Sequence, residues 1–327
     1  MSSPIERPQR LALPALLAGG IAIGFSPIFV RLSELGPIAT GFYRLFLALP
    51  LLWLWMRFEA RAAKETSTVR WLAIAVPGAL FAGDILFWHW SITYTTVANA
   101  TLLANLAPVI VTIGAWLYLR EHITRTFLAG LTLAMGGAAL LVNASVALGA
   151  RYVLGDMLGL ITACFFGSYV VAVARLRDRY AASTIMFYSS VVTCVLLLAA
   201  TLISGEGLLP RSPNGWIALL ALAWISQAMG QGLIAYALGD LPASFSALAI
   251  LIEPLTAAIL GWVWLGEALG VLQAIGGAIV LAGIAVARRA SGSRDRGNGG
   301  DPIPRPETAY HQAQVLTQPP TTPAGPV

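Results

Sequence analysis

The sequence has little charge for its length. Only 11% of its 327 residues are Asp, Glu, Lys or Arg, whereas an ordinary soluble domain carries about 25%. A soluble protein of this size needs far more charge to cover its surface. The shortage of charge therefore argues against a soluble enzyme, a nucleic-acid-binding protein and a disordered chain.

Cysteines and catalytic motifs are also scarce. The two cysteines, Cys164 and Cys194, fall inside apolar runs without disulfide or metal-site spacing, so we expect buried free thiols. The sequence contains no Walker A loop, no zinc-protease motif and no Gly-x-Ser-x-Gly nucleophile motif. We therefore predict a protein that is not an enzyme and that carries no metal or cofactor.

Long apolar runs dominate the chain, and 57% of its residues are hydrophobic. A helix needs about 20 apolar residues to cross a bilayer, and none of the runs alternates as the strands of a barrel do. The predicted fold class is an all-α membrane protein with ten transmembrane helices. The ten predicted spans are Leu11–Leu32, Ile38–Met56, Trp71–Ile92, Val97–Leu117, Phe127–Val142, Gly155–Ala174, Thr184–Ile203, Gly215–Leu238, Ala243–Leu265 and Val271–Ala287.

Basic residues are distributed unevenly between the predicted loops. With the N-terminus inside, 16 of the 20 Lys and Arg residues fall on the cytoplasmic side and 3 outside, and Arg44 lies within a span. Because cytoplasmic loops carry the excess of Lys and Arg, both termini are predicted to be cytoplasmic, in the cell inner membrane. Residues 288–327 are rich in Pro and Gly and predict a disordered cytoplasmic tail.

The chain contains an internal repeat. A shift of 146 residues places Pro108 on Pro254, Trp116 on Trp262, Glu121 on Glu267, Gly130 on Gly276 and Gly137 on Gly283. Each copy contains five spans, an odd number, so the second copy must cross the membrane in the opposite sense. The predicted units are residues 1–10, a first repeat over 11–142, a linker over 143–154 and a second repeat over 155–287. Inverted repeats are typical of secondary transporters.

Several motifs resemble those of one transporter family. They are Glu253–Pro254, Gly261, Gly266–Glu267, Gly276 and Gly283, with their weaker N-terminal counterparts, and the segments Ser26–Arg31 and Phe42–Arg44. Over residues 11–287 the chain resembles the EamA-type transporters of the drug/metabolite transporter superfamily. The resemblance implies two inverted five-helix halves and export of small metabolites, and within the family the chain is most similar to the amino-acid exporters, including the aromatic branch. The two repeats differ at one motif position. The N-terminal repeat has Ala107 before Pro108, where the C-terminal repeat has Glu253 before Pro254.

Charged residues inside the predicted spans are candidates for a substrate site, because a charge at the bilayer centre costs at least about 2.5 kcal/mol. Asp84 shares a helical face with Phe81 and Trp88. A carboxylate among aromatic rings suits an ammonium ion, although a structural hydrogen bond is an alternative. Glu253 is a second candidate for an ammonium or a proton. Pro108 and Pro254 are predicted hinges, with static kinks as the alternative.

Further polar and aromatic residues complete the prediction. Gln227 and Gln231, on one face with Trp224, would bind a zwitterion or join helices. Arg44 could offer a fork to a substrate carboxylate, but we expect it to snorkel outward. The predicted substrate-binding residues are Asp84, Trp88, Phe81, Asn105, Gln227, Gln231, Glu253, Phe25, Phe166 and Tyr169.

Three other polar residues receive structural predictions. His89, one position off the face of Asp84, is expected to serve packing or an interface. Glu121 and Glu267 end their spans, so we expect headgroup solvation or a loop contact for both.

The sequence thus predicts a secondary exporter that works by alternating access. Its predicted substrates are neutral or aromatic L-amino acids. Membrane lipids are predicted as its other partners, and nucleic acid is not. The predicted oligomeric state is a monomer or a homodimer. The alternatives are export of another small metabolite, such as a nucleotide sugar or a drug-like molecule, an intramembrane enzyme acting on lipid-linked substrates, and a non-transporting assembly or sensor subunit. A nucleotide sugar is disfavoured because the predicted site offers few cations for a diphosphate.

Overall fold

The computed structural model describes residues 11–63, 70–94, 103–142, 150–265 and 271–292. Within these ranges it contains helices and turns and no strand, which confirms the all-helical fold class. The helices are α1 (Ala12–Gly24), α2 (Ser26–Leu32), α3 (Pro37–Phe46), α4 (Leu49–Ala63), α5 (Trp71–Tyr94), α6 (Ala107–Tyr118), α7 (Arg125–Val142), α8 (Ala150–Leu176), α9 (Ala182–Ser204), α10 (Pro213–Ala221), a π-helical segment (Leu222–Gln231), α11 (Gly232–Ala237), α12 (Ala243–Ala249), α13 (Ile252–Leu265) and α14 (Val271–Gly292).

Each of the ten predicted spans contains helix. Six helical segments in the described ranges are long and apolar enough to cross a membrane: Ala12–Leu32, Pro37–Glu59, Trp71–Ser91, Val153–Leu176, Ala182–Ser204 and Pro213–Ala237. Two shorter apolar helices cover Ala107–Tyr118 and Ala243–Ala257. The chain is therefore a multi-pass membrane protein, while the count of ten spans stays a prediction.

Several helices extend beyond the predicted spans. α4 continues to Ala63, seven residues past the predicted end, and α8 begins at Ala150, within the predicted linker. α14 reaches Gly292, past the predicted start of the tail. The apolar run marks only the part of a helix that suits hydrocarbon, and the helix itself can continue into the headgroup region. Residues 1–10, 143–149 and 293–327 lie outside the described residues.

Among the described residues, four of the predicted spans are interrupted rather than continuous. The interruptions are at Phe25, Leu47–Ala48, Asn105–Leu106 and Ile250–Leu251. Each lies two to four residues before a proline, namely Pro27, Pro50, Pro108 and Pro254. Proline has no N–H, and its ring clashes with the carbonyl four residues earlier, so the helical ladder is broken just upstream.

Helices α7 and α14 touch through glycines. A Cβ on Gly130 would lie 2.8 Å from the carbonyl oxygen of Gly283, and a Cβ on Gly137 would lie 2.7 Å from that of Gly276. The glycine nearer the beginning of α7 therefore contacts the glycine nearer the end of α14, and the glycine nearer the end of α7 contacts the one nearer the beginning of α14. The two helices thus run antiparallel. Gly130 and Gly276, and likewise Gly137 and Gly283, are the pairs that the 146-residue shift aligns.

Carboxylates from one helical segment cap the beginning of another. The backbone N–H of Ala39, in the first turn of α3, donates to Glu206 Oε2 at 2.8 Å. The backbone N–H of Ser183, in the first turn of α9, donates to Glu59 Oε2 at 3.4 Å. Glu59 lies near the end of the segment that α3 begins, and Glu206 follows the end of α9. Each segment thus ends beside the beginning of the other, which again requires an antiparallel pair.

Glu34, in the connection between α2 and α3, caps the beginning of α10. Its carboxylate accepts from the backbone N–H groups of Arg211 and Ser212, at 2.6 and 2.9 Å, and from the Ser212 hydroxyl at 2.5 Å. The Ser212 hydroxyl, aided by these N–H groups, lowers the pKa of Glu34 below its ordinary value of 4.5. A lowered pKa in the folded state stabilises the fold above that ordinary value, and this contribution disappears as the pH falls through the lowered pKa.

Glu121 makes the corresponding contact at the beginning of α12. Its Oε1 accepts from the backbone N–H of Ala243 at 2.6 Å, and its Oε2 accepts from the backbone N–H of Ser244 at 3.3 Å. The Ser244 hydroxyl also donates to Oε2. Glu121 thus contacts the first turn of a helix, where headgroup solvation or a loop contact was expected. Glu267 lies outside the described residues.

Candidate functional site

A cavity of about 260 Å³ lies among the interrupted helices. Its wall includes Ser26 and Pro27 after the turn at Phe25. It also includes Ala247 before the interruption between α12 and α13, and Pro254 after it. Helix interruptions expose backbone groups that lack helical partners, and transporters use such places to hold substrates or ions. Three of the four prolines that follow the interruptions lie in the wall of the cavity.

Most of the predicted site residues lie in this wall. The cavity is lined by Phe81, Asp84, Trp88, Asn105, Phe166, Gln231 and Glu253, and by both predicted hinge residues, Pro108 and Pro254. These residues come from α5, α8, the π-helical segment, α13 and the region around the start of α6. The structure thus brings together residues that are up to 172 positions apart (81 to 253), although their binding of a substrate stays a prediction.

Three of the predicted residues do not line the cavity. The ring of Phe25 packs against those of Phe29 and Trp264, with centroids 6.0 and 5.6 Å away. The turn at Phe25 interrupts the first predicted span at this position. Tyr169 is buried behind the wall, stacked on Phe81 at 4.8 Å, and Gln227 is also buried behind it.

Arg44 was predicted to snorkel outward, and this prediction is wrong, because its side chain points into the bundle. Its Nε donates to Gln227 Oε1 at 2.9 Å and its Nη1 donates to Ser26 Oγ at 3.3 Å. Its guanidinium carbon lies 5.7 Å from the centroid of the Phe81 ring. Arg44 lines the cavity, and internal hydrogen bonds together with opposite charges replace the solvation that snorkelling would provide.

The cavity contains both signs of charge. Arg44 is close enough to Asp84 and Glu253 to interact with them electrostatically, and all three residues line the wall. Within the described part of the chain, Arg44 is hydrogen-bonded to neither carboxylate. Arg31, at the end of α2, also borders the cavity and is exposed.

His89 lines the cavity as well, whereas we expected a packing role for it. Its side chain is only 5% exposed, and its Nδ1 has no hydrogen-bond partner among the described residues. The ring lies 5.1 Å from that of Trp88. His89 is one position away from the face of Asp84 and Trp88, and the wall is wide enough to include it. A buried unpartnered nitrogen beside a cavity is a group that a ligand can satisfy.

The π-helical segment places Trp224 differently from the prediction. Trp224 was expected on the face of Gln227 and Gln231, but it is 49% exposed and its Nε1 donates to the carbonyl oxygen of Leu47 at 3.1 Å. A π-helix bonds residue i to i+5 and has more residues per turn than an α-helix. Residues three apart, such as Trp224 and Gln227, therefore do not share its face.

The two cysteines also differ from each other. Cys194 is buried, as predicted, but Cys164 is exposed on α8. An apolar run alone does not distinguish the side of a helix that faces lipid from the side that faces other helices.

No group of His, Cys, Asp and Glu that could hold a metal ion occurs among the residues that the structure describes.

Interrupted helices around a cavity that contains charged residues, within an apolar bundle, are features of membrane transporters. The model of the EamA-like transporter family matches this chain over residues 10–143 and again over residues 153–289. The chain therefore belongs to the EamA-like transporter family. Members of this family are transporters and not enzymes.

Several relatives are transporters or exporters by name. The chain is 29% identical to an uncharacterized transporter of Archaeoglobus fulgidus, over 84% of this chain and 94% of the relative. It is 28% identical to the pseudopaline exporter CntI of Pseudomonas aeruginosa, over 77% of this chain and 86% of the relative. It is also 28% identical to a probable terminal-alkyne amino-acid exporter of Streptantibioticus cattleyicolor, over 64% and 69%.

The fold has a counterpart among solved structures. One crystal structure superimposes with a TM-score of 0.73 at 18% sequence identity, over 86% of this chain and 98% of the other. At this identity the likeness establishes the fold, and it carries no information about the substrate.

Proposed function

We propose that the chain exports small amphipathic metabolites across the cell inner membrane, and that neutral or aromatic L-amino acids are its substrates. The observation that carries the proposal is the composition of the cavity wall. Arg44 stands near Asp84 and Glu253, and aromatic rings of Phe81 and Trp88 lie in the same wall. An amino acid presents the complementary groups, namely a carboxylate, an ammonium and an apolar side chain.

The size of the cavity favours a small substrate. Ligand pockets usually measure about 300–1,000 Å³, and this cavity is about 260 Å³. A nucleotide sugar would be crowded in this space, and its diphosphate would meet the carboxylates of Asp84 and Glu253. The names of the exporter relatives, one of which mentions amino acids, agree with a small exported substrate.

Alternating access is part of the proposal. The cavity wall reaches Arg31 at the end of α2 but, among the described residues, does not include Glu121 or Ser244. The distribution of basic residues predicts that the end of α2 is extracytoplasmic, so this conformation would face outward. The reciprocal glycine contacts of α7 and α14 support two inverted halves. Pro108 and Pro254, beside interruptions in the two halves, would serve as the hinges.

Exchange in liposomes tests the proposal. Purified full-length protein in liposomes loaded with unlabelled L-phenylalanine is expected to take up labelled L-phenylalanine faster than protein-free liposomes. The panel should also include other neutral amino acids, charged amino acids, amines and a nucleotide sugar. Absence of flux for the entire panel would refute the exporter proposal. Chromatography of the recovered label separates transport from an enzyme, because a transported substrate is recovered unchanged.

A further inference from the structure

Three neighbours hold the guanidinium of Arg44 in one position. Gln227 accepts from Nε, Ser26 accepts from Nη1, and the Phe81 ring lies beside the guanidinium at 5.7 Å. Phe81 is itself supported from behind by Tyr169, which stacks on it at 4.8 Å. A planar guanidinium fixed in this way is ready to bind a carboxylate with little further loss of conformational freedom.

Gln227 contributes to this arrangement from outside the cavity. Its side chain is only 1% exposed and is not part of the cavity wall. Arginine has only donors, so the oxygen of the Gln227 amide must be the atom that faces Nε. The residue belongs to the π-helical segment Leu222–Gln231, and such segments occur frequently at functional sites. Gln227 therefore influences a bound substrate only through Arg44.

The partners of Arg44 are neutral, although two carboxylates line the same cavity. Its hydrogen bonds to Gln227 and Ser26 compensate part of its desolvation without neutralising its charge. Asp84 and Glu253 interact with it electrostatically and share the cavity with it. The cavity wall thus offers one positive group and two negative groups, and among the described residues the hydrogen bonds of Arg44 go to neutral partners, an arrangement that suits a zwitterion.

We infer that Arg44 binds the carboxylate of the substrate and that Gln227 is the positioning residue that orients Arg44 for this contact. The inference rests on the proposed function and makes it more specific. The transported class is then molecules with both a free carboxylate and an ammonium group. Amines and carboxamides of the same size and side chain are poor substrates, because they leave the charge of Arg44 unpaired.

The test compares L-phenylalanine with L-phenylalaninamide, which lacks the carboxylate. Both are measured as competitors of the exchange of labelled L-phenylalanine in liposomes containing the full-length protein. The parent is expected to prefer L-phenylalanine by about ten- to a hundredfold, the range of one hydrogen bond to a charged group. This preference is a ratio within one protein sample, so the amount of folded protein does not affect it.

Substitutions at Arg44 and Gln227 assign the preference to these residues. In Arg44→Gln the ratio is expected to fall to nearly one. In Gln227→Leu it is expected to fall several-fold, through a higher KM for L-phenylalanine at similar kcat. In Gln227→Glu it should fall at least as far, because the new carboxylate accepts from Nε but neutralises the charge of Arg44. The double variant Arg44→Gln, Gln227→Leu should have the same ratio as Arg44→Gln alone.

Arg175→Gln is the matched control. Arg175 is exposed and its Nη1 donates to the carbonyl oxygen of Tyr118 at 2.8 Å, so its replacement should leave the parent ratio unchanged. A parent ratio near one would overturn the inference even if no variant folded. So would an undiminished ratio in Arg44→Gln, or an equal effect of Gln227→Leu with and without Arg44. A parent that transports no amino acid at all would instead contradict the proposed function.

Discussion

Replacing Asp84 by Asn and Glu253 by Gln together is expected to abolish concentrative transport. The two substitutions preserve the shape of the cavity but remove both negative charges from its wall. A substrate ammonium then has no counter-charge, while Arg44 remains. A hydrogen bond to a charged group contributes about 1.5–3 kcal/mol, so each single variant should lose roughly ten- to a hundredfold in apparent affinity for L-phenylalanine. Uptake against a gradient in liposomes shows whether the double variant still concentrates the substrate, and its dependence on L-phenylalanine concentration gives the apparent affinity of each single variant.

Asp178→Asn provides the control, because Asp178 is exposed and does not line the cavity. This variant should transport as the parent does. The same experiment tests a further hypothesis, that protonation of Glu253 couples transport to the proton gradient. A double variant whose uphill transport and pH response equal those of the parent would contradict both roles.

Substitution of Gly137 by Ala is expected to have the second largest effect, on stability. The new Cβ would lie 2.7 Å from the carbonyl oxygen of Gly276 and 2.7 Å from the amide nitrogen of Val280. Both are backbone atoms, so α7 and α14 must move apart. Overpacking of this kind costs about 1–3 kcal/mol, and the melting temperature in detergent should fall by several degrees. Gly283→Ala, whose Cβ would lie 2.6 Å from the Ala134 amide nitrogen, should behave similarly.

The neighbouring glycine serves as the control for this experiment. A Cβ on Gly136 would meet nothing within 4 Å, so Gly136→Ala should melt with the parent or slightly above it, since Ala is the better helix former. Equal melting temperatures for Gly136→Ala and Gly137→Ala would show that the two helices do not touch at this glycine.

The sequence identifies much of the site because polar residues are rare in apolar runs. Asp84, Asn105 and Glu253 stand out for this reason, and all three line the cavity. The direction of the Arg44 side chain could not be predicted in the same way. It depends on Gln227, which is 183 residues away, and local sequence contains no information about that partner.

Helix interruptions could not be predicted from local sequence either. Pro27, Pro108 and Pro254 each follow an interruption, but Pro77 lies inside α5, which is continuous. The local chemistry of proline is identical in these cases, so the surrounding packing decides whether the helix breaks. The turn at Phe25, two residues before Pro27, is likewise not marked by any change in the apolar pattern.

The capping contacts depend still more on the tertiary structure. Glu206 caps α3 from a position 167 residues later in the chain, and Glu121 caps α12 from 122 residues earlier. Sequence analysis could place Glu121 only at the end of its span. Its partner became evident from the packing of α6 against α12, which no residue pattern describes.

The central claim is that the cavity opens to the two sides of the membrane in turn. Its most direct test is the labelling of Ala257→Cys, a residue of the cavity wall, after Cys164 and Cys194 have been replaced by Ala. A membrane-impermeant maleimide is applied to right-side-out and to inside-out vesicles, with and without L-phenylalanine. We expect labelling from outside, protection by L-phenylalanine, and additional labelling from inside when Glu121→Ala removes the contacts to Ala243 and Ser244. A cysteine that reacts from neither side, or from one side only in every variant and regardless of substrate, would contradict the account.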